Sequence, residues 1–459
     1  MREHLTGQFT PGTSILHRLD ARAKFFGFLI LIAATVCTDA WLGYALLLAV
    51  TAAVVAVCGL PLRTALASVA RMGWFFLLIF VMNALFFATD DAIWHWWILT
   101  LSVPGIVQGA QVTVRLALIL VMSNVLTCTT PPLEITGAIQ TLLSPLRLVR
   151  LPVEDIAMIL SVAVQFIPTL LEETDTIRKA QIARGARFES RRLHERAQAM
   201  LPLIVPIFLS AFKRADELAM AMEARGYRGA RGRTRKKSVP PAPERLGRAC
   251  AVRPCVRSGN TPVNPKSERN RSPMQTMSTV KKSIITAVCI ALCYVLPLLF
   301  HGIQGAGQIF CPMHIPVFLC GLVCGWQFGL LCGLAGPALS SALCGMPPVS
   351  ILPSMMIELA VYGLIAGIMM RCVRTRHVYA DLYISLIVAI VAGRVVNGLV
   401  NALIFARGSY SMATWVAGSV VKSWPGTVIQ LVFIPSIVFA LMKARLIPER
   451  YPKEVPADD

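Results

Sequence analysis

Residues 181–187 read Gln-Ile-Ala-Arg-Gly-Ala-Arg, and residues 223–228 read Glu-Ala-Arg-Gly-Tyr-Arg. Each stretch places an Ala-Arg-Gly triplet at the end of a run with helical character, 170–183 in the first case and 199–224 in the second. A glycine directly after the last periodic residue is the usual C-cap of an α-helix, because it adopts the left-handed conformation without strain. The two stretches therefore predict two helices that end in matching Arg-Gly tips.

Arg184 and Arg225 each precede the capping glycine by one residue. An arginine at this position interacts favourably with the negative end of the helix dipole, and its planar guanidinium offers five donors to a partner. For one copy alone, good capping chemistry is a sufficient explanation. Two copies in a single membrane protein favour a pair of cationic tips on a cytoplasmic platform.

The composition indicates a membrane protein. Of the 459 residues, 56% are hydrophobic and only 15% are charged, and the mean hydropathy is +0.64. Soluble proteins carry about 25% charged residues. Several apolar runs of this chain reach the roughly 20 residues that a helix needs to span a bilayer. We therefore predict an all-α membrane protein, a polytopic helical bundle that has the lipid bilayer as a partner.

Much of the net charge of +20 lies in residues 179–271, and the positive-inside rule places that region in the cytoplasm. A chain this basic raises the alternative of nucleic-acid binding. No basic segment interleaved with aromatic residues accompanies the charge, so we expect no nucleic-acid partner. The sequence also lacks the Gly-x4-Gly-Lys-Ser/Thr phosphate-binding motif. We therefore expect that the chain is not an enzyme and that any ATP hydrolysis occurs on a partner.

The thirteen cysteines do not indicate a metal centre. Most of them lie in or beside apolar runs, where cysteine behaves as a small hydrophobic residue. The pairs Cys289/Cys293 and Cys320/Cys324 are spaced by one helical turn, whereas a structural zinc site has a two-residue gap in a polar setting. We expect neither a bound metal nor a cofactor.

The first half of the chain, residues 1–230, contains three further local features. Residues 17–24 form a charged amphipathic lead-in to the apolar runs. Residues 129–131 (Thr-Thr-Pro) predict a sharp helix stop, and residues 165–168 (Gln-Phe-Ile-Pro) predict a corner, because proline disfavours continuation of a helix.

The apolar runs of the first half also raise two questions of placement. Arg115 lies well inside one run. A charged group there is costly and usually faces protein or water, so we expect a polar partner for it. The apolar segments 156–171 and 200–212 are short for a membrane span, and their length predicts helices that lie at the face of the bilayer.

Together with the paired tips, these features resemble the T component of the energy-coupling factor (ECF) vitamin transporters over residues 9–229. In that family the cytoplasmic coupling helices end in such arginine motifs, which dock in grooves of two ABC-type ATPase subunits. The resemblance implies this ATPase-coupling role for six residues: Ala183, Arg184, Gly185, Ala224, Arg225 and Gly226. One feature departs from the family, because members usually continue after the second motif into a last membrane helix.

Residues 231–273 follow the second motif instead. They are rich in Arg, Lys, Pro, Ser and Asn, and their only acidic residues are Glu244 and Glu268. Such a composition cannot bury a hydrophobic core, so we predict a basic, disordered, cytoplasmic linker. The chain is then divided into residues 1–230, this linker and a second half, residues 274–459. The alternative is that two neighbouring reading frames have been merged.

The second half contains about six hydrophobic runs with basic residues at both ends, which predicts that both ends are cytoplasmic. Ala287 and Ala291 form a small-xxx-small pair, a pattern that lets two helices approach closely. Chance is the alternative, because alanine is common in membrane helices. His314 lies between Pro312 and Pro316 at the mouth of a helix, a poor position for core packing.

Several polar residues of the second half lie within apolar runs, where such groups are functional candidates by default. With His314, they are the candidate substrate-binding residues: Glu358, Arg394, Asn397, Asn401 and Lys422. Arg394, Asn397 and Asn401 recur at i, i+3 and i+7 and share one helix face. An excess of cations over anions suits a ligand with a carboxylate, and small apolar walls suit a compact vitamin. The alternative is a permanent ion pair between Glu358 and Arg394.

The second half is similar to the S component of ECF transporters, the membrane subunit that binds the vitamin, over residues 277–451. Ala287 and Ala291 match the AxxxA contact of that family with the T component. Residues 313–317 and 345–348 resemble the pantothenate-type subfamily. The resemblance implies a six-helix S-component bundle, a vitamin substrate and, with the first half, a fused T and S component.

Other classes of membrane protein fit the sequence less well. An ion-coupled secondary transporter of a small organic acid predicts an inverted repeat and matched broken helices, and the two halves differ in pattern. A membrane enzyme would need a catalytic constellation that the sequence does not contain. A nickel or cobalt carrier is disfavoured because its S-type partner begins with Met-His, whereas this chain begins with Met-Arg-Glu.

Overall fold

The computed structural model describes most of the predicted helices. With isolated positions between them, the described residues are 19–38, 40–59, 73–86, 92–96, 99–131, 153–186, 193–227, 277–299, 310–344, 351–405, 423–448 and 450–451. The predicted linker, residues 231–273, lies outside the described residues, so its disorder stays a prediction. The segment 406–422, which contains Lys422, also lies outside them.

The described part of the first half is helical except for one short hairpin. The hairpin consists of β1 (Ala92–Trp96) and β2 (Leu99–Ser102), which pair antiparallel. The helices are α1 (Ala21–Cys37), α2 (Trp41–Cys58), α3 (Gly73–Phe86), α4 (Val103–Thr129), α5 (Val153–Ala183) and α6 (Leu193–Ala224).

Local sequence explains where two of these helices begin. Asp20 accepts a hydrogen bond from the backbone of Arg22 at 3.0 Å and caps α1. Ser102 accepts one from the backbone of Gly105 at 3.1 Å and caps α4, which has proline in its first turn.

The described part of the second half contains six helices, as predicted. They are α7 (Thr279–Leu299), α8 (His314–Cys324), α9 (Trp326–Cys344), α10 (Leu352–Cys372), α11 (Val378–Val400) and α12 (Trp424–Lys443). A short π-helical turn, Asn401–Phe405, extends α11. In the described ranges of the whole chain, seven helices are long and apolar enough to cross a membrane, so the prediction of an all-α polytopic membrane protein is confirmed.

Glycines let three helices of the second half meet at their backbones. A Cβ atom at Gly363 of α10 would lie 2.2 Å from the backbone oxygen of Gly329 in α9. One at Gly321 of α8 would lie 2.5 Å from the backbone oxygen of Gly363. No larger residue fits at such an approach, so these positions fix the spacing of α8, α9 and α10.

Two cationic side chains of the first half, Arg115 and Lys24, are held by protein atoms. The Arg115 guanidinium donates to the backbone oxygen of Thr38 at 2.9 Å and to the Tyr44 hydroxyl at 2.8 Å, which confirms the expectation of a polar partner. The ammonium of Lys24, in the amphipathic lead-in, donates to the backbone oxygen of Thr129 at 3.0 Å. The lead-in and the predicted helix stop are therefore in direct contact.

The prediction of a corner at residues 165–168 is wrong, and the segment 156–171 belongs to a helix long and apolar enough to cross a membrane, whereas the placement of 200–212 at the bilayer face stays a prediction. Pro168 lies inside the 31-residue helix α5, and Pro202 and Pro206 lie inside the 32-residue helix α6. Buried neighbours such as Ile167 and Phe208 hold both helices in a common core. Tertiary packing of this kind compensates for the backbone hydrogen bond that proline removes.

The two halves share this core. Helix α7 packs against α5 and α6 of the first half and against α8 and α9 of the second. Most of α7 is buried, including Ile284 and Leu292, which are fully inaccessible. A further link is the hydroxyl of Thr127 in α4, which donates to the backbone oxygen of Ala342 in α9 at 3.2 Å. The first helix of the second half is thus central to the whole molecule.

Candidate functional site

The first predicted tip has the expected helix cap. Helix α5 ends at Ala183, and Gly185 has a φ of +88°. The backbone N–H of Ala186 donates to the oxygen of Gln181 at 3.0 Å, and that of Gly185 donates to the oxygen of Ile182 at 2.9 Å. This pair of bonds is the Schellman motif, which satisfies the last carbonyls of a helix.

The second tip repeats the same cap. Helix α6 ends at Ala224, and Gly226 has a φ of +76°. The N–H of Tyr227 donates to the oxygen of Met222 at 3.0 Å, and that of Gly226 donates to the oxygen of Glu223 at 2.9 Å. Tyr227 and Met222 both pack against the core, which is the apolar contact that often accompanies this motif.

The two arginines are presented to solvent by these caps. Arg184 and Arg225 are both exposed, and so are Gly185 and Gly226. A Cβ atom at either glycine would meet nothing within 4 Å. The glycines are therefore required by their positive φ and not by a lack of space. The predicted pair of matching Arg-Gly helix ends is confirmed as a local geometry.

Helices α5 and α6 are joined ten residues before each tip. Glu173 accepts a hydrogen bond from Ser210, and its other oxygen lies 3.0 Å from the Nε of Arg214. Ala183 follows Glu173 by ten residues, and Ala224 follows Arg214 by ten. At 1.5 Å per residue, both tips project about 15 Å beyond this junction. The arrangement offers two equal arms to a partner.

Ala287 and Ala291 lie on α7 and have no accessible surface. Since α7 packs against α5 and α6, the predicted pair lies on the helix that joins the two halves. The ability of small residues to bring helices together is consistent with this position.

The predicted substrate-binding residues of the described part converge on α10 and α11. The Glu358 carboxylate accepts hydrogen bonds from the Tyr362 hydroxyl at 2.6 Å and from the Asn397 amide at 2.9 Å. Asn401 donates to Asn397 at 2.6 Å and to the Ser354 hydroxyl at 2.9 Å. These five side chains form one hydrogen-bonded network, which we call the polar cluster.

Arg394 reaches from α11 to α12, where it donates to the Thr427 hydroxyl. It lies close enough to Glu358 for electrostatic attraction. The hydrogen bonds described for the carboxylate come from Tyr362 and Asn397, which are neutral. Thr427 is therefore one neutral partner of the guanidinium, and the two charged groups also attract each other.

His314, the first residue of α8, lies beside the polar cluster and connects it to α12. Its Nδ1 lies 3.1 Å from the Gln430 amide nitrogen on α12, and its ring centroid lies 5.2 Å from that of Tyr362. An amide nitrogen only donates, so Nδ1 accepts and the imidazole is neutral. The amide and imidazole groups therefore add neutral hydrogen-bonding capacity beside the charged pair.

Four members of this region were not predicted as site residues. Ser354 and Tyr362 lie one turn before and one turn after Glu358 on α10, and Thr427 and Gln430 lie one turn apart on α12. The i, i+4 spacing of Ser354 and Tyr362 around the partly buried Glu358, and the i, i+3 spacing of Thr427 and Gln430, are the signals that could have identified them. The π-helical turn beginning at Asn401 is a further sign, because such turns are frequent at functional sites.

Two family models match the chain in separate regions. The family described as cobalt transport protein matches residues 12–236, and the family described as ECF transporter, substrate-specific component, matches residues 281–447. The first match ends before the polar cluster, so the cobalt in its description says nothing about the ligand of the second half.

Curated relatives match the first half over most of their own length. Three of them, each named energy-coupling factor transporter transmembrane protein EcfT, come from Acidaminococcus fermentans, Listeria innocua and Bacillus subtilis. They are 43%, 40% and 39% identical over 231, 235 and 239 residues. The matches cover 50%, 51% and 52% of this chain and 85%, 89% and 90% of the relatives.

Proposed function

The chain belongs to the family of energy-coupling factor transporter transmembrane proteins through its first half, carries an ECF substrate-specific component as its second half, and on that premise we propose that it performs ATP-driven uptake of a vitamin-like micronutrient. ATP hydrolysis takes place on two ABC-type ATPase subunits that dock on the tips. The tips and the linker face the cytoplasm.

One observation carries this proposal. The two exposed arginines have the same helix cap and extend equally far from the junction at Glu173. A matched pair of cationic arms suits a partner that presents two equivalent binding grooves, as a dimer of ATPase subunits does. A guanidinium is well suited to such docking because it binds carboxylates with two parallel hydrogen bonds.

The coupling test uses the double variant Arg184→Ala/Arg225→Ala. Uptake that depends on ATP is expected to disappear, and recovery of the ATPase subunits with the purified chain is expected to fall. Vitamin binding stays intact, because the polar cluster is untouched. The matched control is Lys179→Ala/Lys213→Ala, which removes one exposed cation from each of the same two helices. Wild-type uptake in the double arginine variant would overturn the proposal.

The proposed ligand is a carboxylate vitamin, with pantothenate as the first candidate. Arg394 provides the positive charge for the ligand carboxylate, and Lys422 is proposed to add a second cation. The other polar groups of the ligand are bound by the anionic Glu358 and by the neutral side chains of Asn397, Asn401 and His314. A guanidinium inside a membrane bundle costs several kcal/mol unless it is balanced. Glu358 and a ligand carboxylate together provide that balance.

Binding of a vitamin panel to the purified full chain tests the ligand class. Arg394→Ala is expected to lower the affinity for an acidic vitamin by about 10- to 150-fold, which corresponds to about 1.5–3 kcal/mol for a charge-assisted contact. Arg394→Lys keeps the charge but loses the planar fork, so it serves as the matched variant and retains part of the affinity. Preference for an uncharged vitamin would contradict a carboxylate ligand.

We also propose the division into residues 1–230, 231–273 and 274–459. The two family matches, which leave residues 237–280 between them, support a linker in this region. The linker then acts as a tether that keeps the second half at a high local concentration beside the first.

A further inference from the structure

The second tip is connected to the second half by polar contacts. The ammonium of Lys281 in α7 lies 2.6 Å from a carboxylate oxygen of Asp216 in α6, and both side chains are about three-quarters buried. The hydroxyl of Ser278 donates to the carboxylate of Glu223. We call these four residues the polar clasp. An ion pair that is partly withdrawn from water is stronger than a fully exposed pair, because the effective dielectric constant is lower.

The polar clasp continues the apolar interface between α6 and α7. Asp216 follows the buried Phe212 by one helical turn, and Glu223 follows the buried Ala219 by one turn. Asp216 and Glu223 are seven residues apart, which places them on one face of α6. The face of α6 that packs in the shared core therefore becomes acidic as it approaches the tip.

Ser278 is also the N-cap of α7. Its hydroxyl oxygen accepts a hydrogen bond from the backbone N–H of Lys281 at 3.1 Å. The same hydroxyl donates to Glu223, so the first turn of α7 is oriented by the acidic face of α6. Lys281 lies within that first turn and points its charge at Asp216.

Glu223 links the polar clasp to the second tip itself. Its backbone oxygen accepts the N–H of Gly226, a bond that closes the cap beside Arg225. Glu223 therefore takes part in both caps. Its backbone oxygen closes the cap of the second tip, and its carboxylate binds the N-cap residue of α7. At the first tip the position equivalent to Glu223 is occupied by Ile182, whose apolar side chain cannot accept a hydrogen bond.

We propose that the polar clasp is the contact that passes movement of the second tip to the second half, and that it selects a second half whose first turn carries a cation. This inference rests on the proposed function, because it needs partner ATPases to move the tip. Apolar packing supplies most of the affinity between the halves, whereas the paired charges fix the register of α7 against α6.

The test is a charge exchange in the full chain, reconstituted with its ATPase subunits. Asp216→Lys and Lys281→Asp each place like charges opposite one another. Each is expected to lower the amount of vitamin transported per ATP hydrolysed by about 3- to 10-fold, the range expected when a partly exposed pair is replaced by repulsion. The exchange Asp216→Lys/Lys281→Asp restores the opposite charges and is expected to return the ratio to within about twofold of wild type.

Glu217→Lys is the matched control, because it makes the same charge change one residue away at an exposed position of α6. It is expected to leave the transport ratio unchanged. Vitamin binding and recovery of the ATPase subunits are measured for every variant, and both are expected to equal wild type. This result separates a loss of transmission from a loss of folding.

Two outcomes would overturn the polar clasp. In one, the single variants transport as wild type does. In the other, the exchanged pair remains as poor as the single variants, so that the loss does not depend on the pairing. Failure of the proposed function is a different result, because the unmodified chain would then show no ATP-dependent uptake at all.

Discussion

The two arginine tips have the same cap but different surroundings. In both, the helix ends at alanine, arginine follows, and a glycine with positive φ closes a Schellman motif. The second tip is joined to α7 through Glu223 and Ser278, whereas the first tip has the apolar Ile182 at the position of Glu223. Equal local sequence produces equal local structure. The difference between the tips arises where Glu223 meets Ser278 of the second half, more than fifty positions further along the chain.

The largest effect is expected when the tips are removed one at a time. Arg184→Ala and Arg225→Ala each delete a charge-assisted contact with an ATPase subunit, worth about 1.5–3 kcal/mol, so each is expected to weaken ATPase binding about 10- to 150-fold. The measurement is binding of labelled ATPase subunits to the reconstituted chain. Transport per ATP is expected to fall further for Arg225→Ala than for Arg184→Ala, because the polar clasp connects the second tip to the second half. Equal transport ratios in the two variants would remove the functional difference between the tips.

A bulky residue on α7, the helix that packs against both halves, comes next. Ala287→Trp or Ala291→Trp places a large side chain at a position with no accessible surface. Overpacking of this kind costs about 1–3 kcal/mol, so both variants are expected to uncouple uptake from ATP hydrolysis while vitamin binding persists. Ala287→Ser, which adds one small atom, is the control. Loss of vitamin binding would instead place these alanines in the wall of the ligand site.

Changes at the two capping glycines test whether the tips are locally equal. Gly185→Val and Gly226→Val force a β-branched residue into the left-handed conformation, which costs about 1–2 kcal/mol. Since neither site has a neighbour within 4 Å, the cost is purely conformational and should be the same at both tips. Both valine variants are therefore expected to bind the ATPase subunits more weakly, and by the same factor. Asparagine, which tolerates this conformation, is expected to keep most of the affinity. A selective effect at one glycine would show that the caps differ.

The smallest effect is expected from cutting the predicted linker. Protease should cleave residues 231–273 first in gently solubilised protein, and the two fragments should purify together. The shared core that α7 forms with α5 and α6 holds the halves without the tether. Separation of the fragments, or a resistant linker, would contradict this expectation.

Sequence reasoning was most accurate where structure is determined locally. Both helix ends were predicted correctly because the signal, a glycine after the last periodic residue, lies within a few positions of the cap. Three of the six candidate substrate-binding residues, Glu358, Asn397 and Asn401, are hydrogen-bonded to one another, and their role in substrate binding stays a prediction. The assignment of the chain to two joined ECF components came from the resemblance of such motifs to known families, and the family matches confirm it.

Long-range packing was beyond the same reasoning. Helix α5 continues through Pro168, where a corner is predicted, because residues on both sides of the proline pack in the shared core. The pairing of Asp216 with Lys281 depends on how α6 and α7 meet across the linker, and neither residue stands out in the sequence. Tyr362 and Ser354 were missed because a tyrosine or a serine in an apolar helix is common without a functional role.

The central claim is that ATP hydrolysis on partner subunits drives uptake through this chain. The most direct measurement is vitamin accumulation in vesicles that contain the full chain and its ATPase subunits, with the ion gradients abolished. The account predicts accumulation with ATP and none with a non-hydrolysable analogue. Accumulation that follows an imposed proton or sodium gradient in vesicles without the ATPase subunits would contradict it and would favour an ion-coupled transporter.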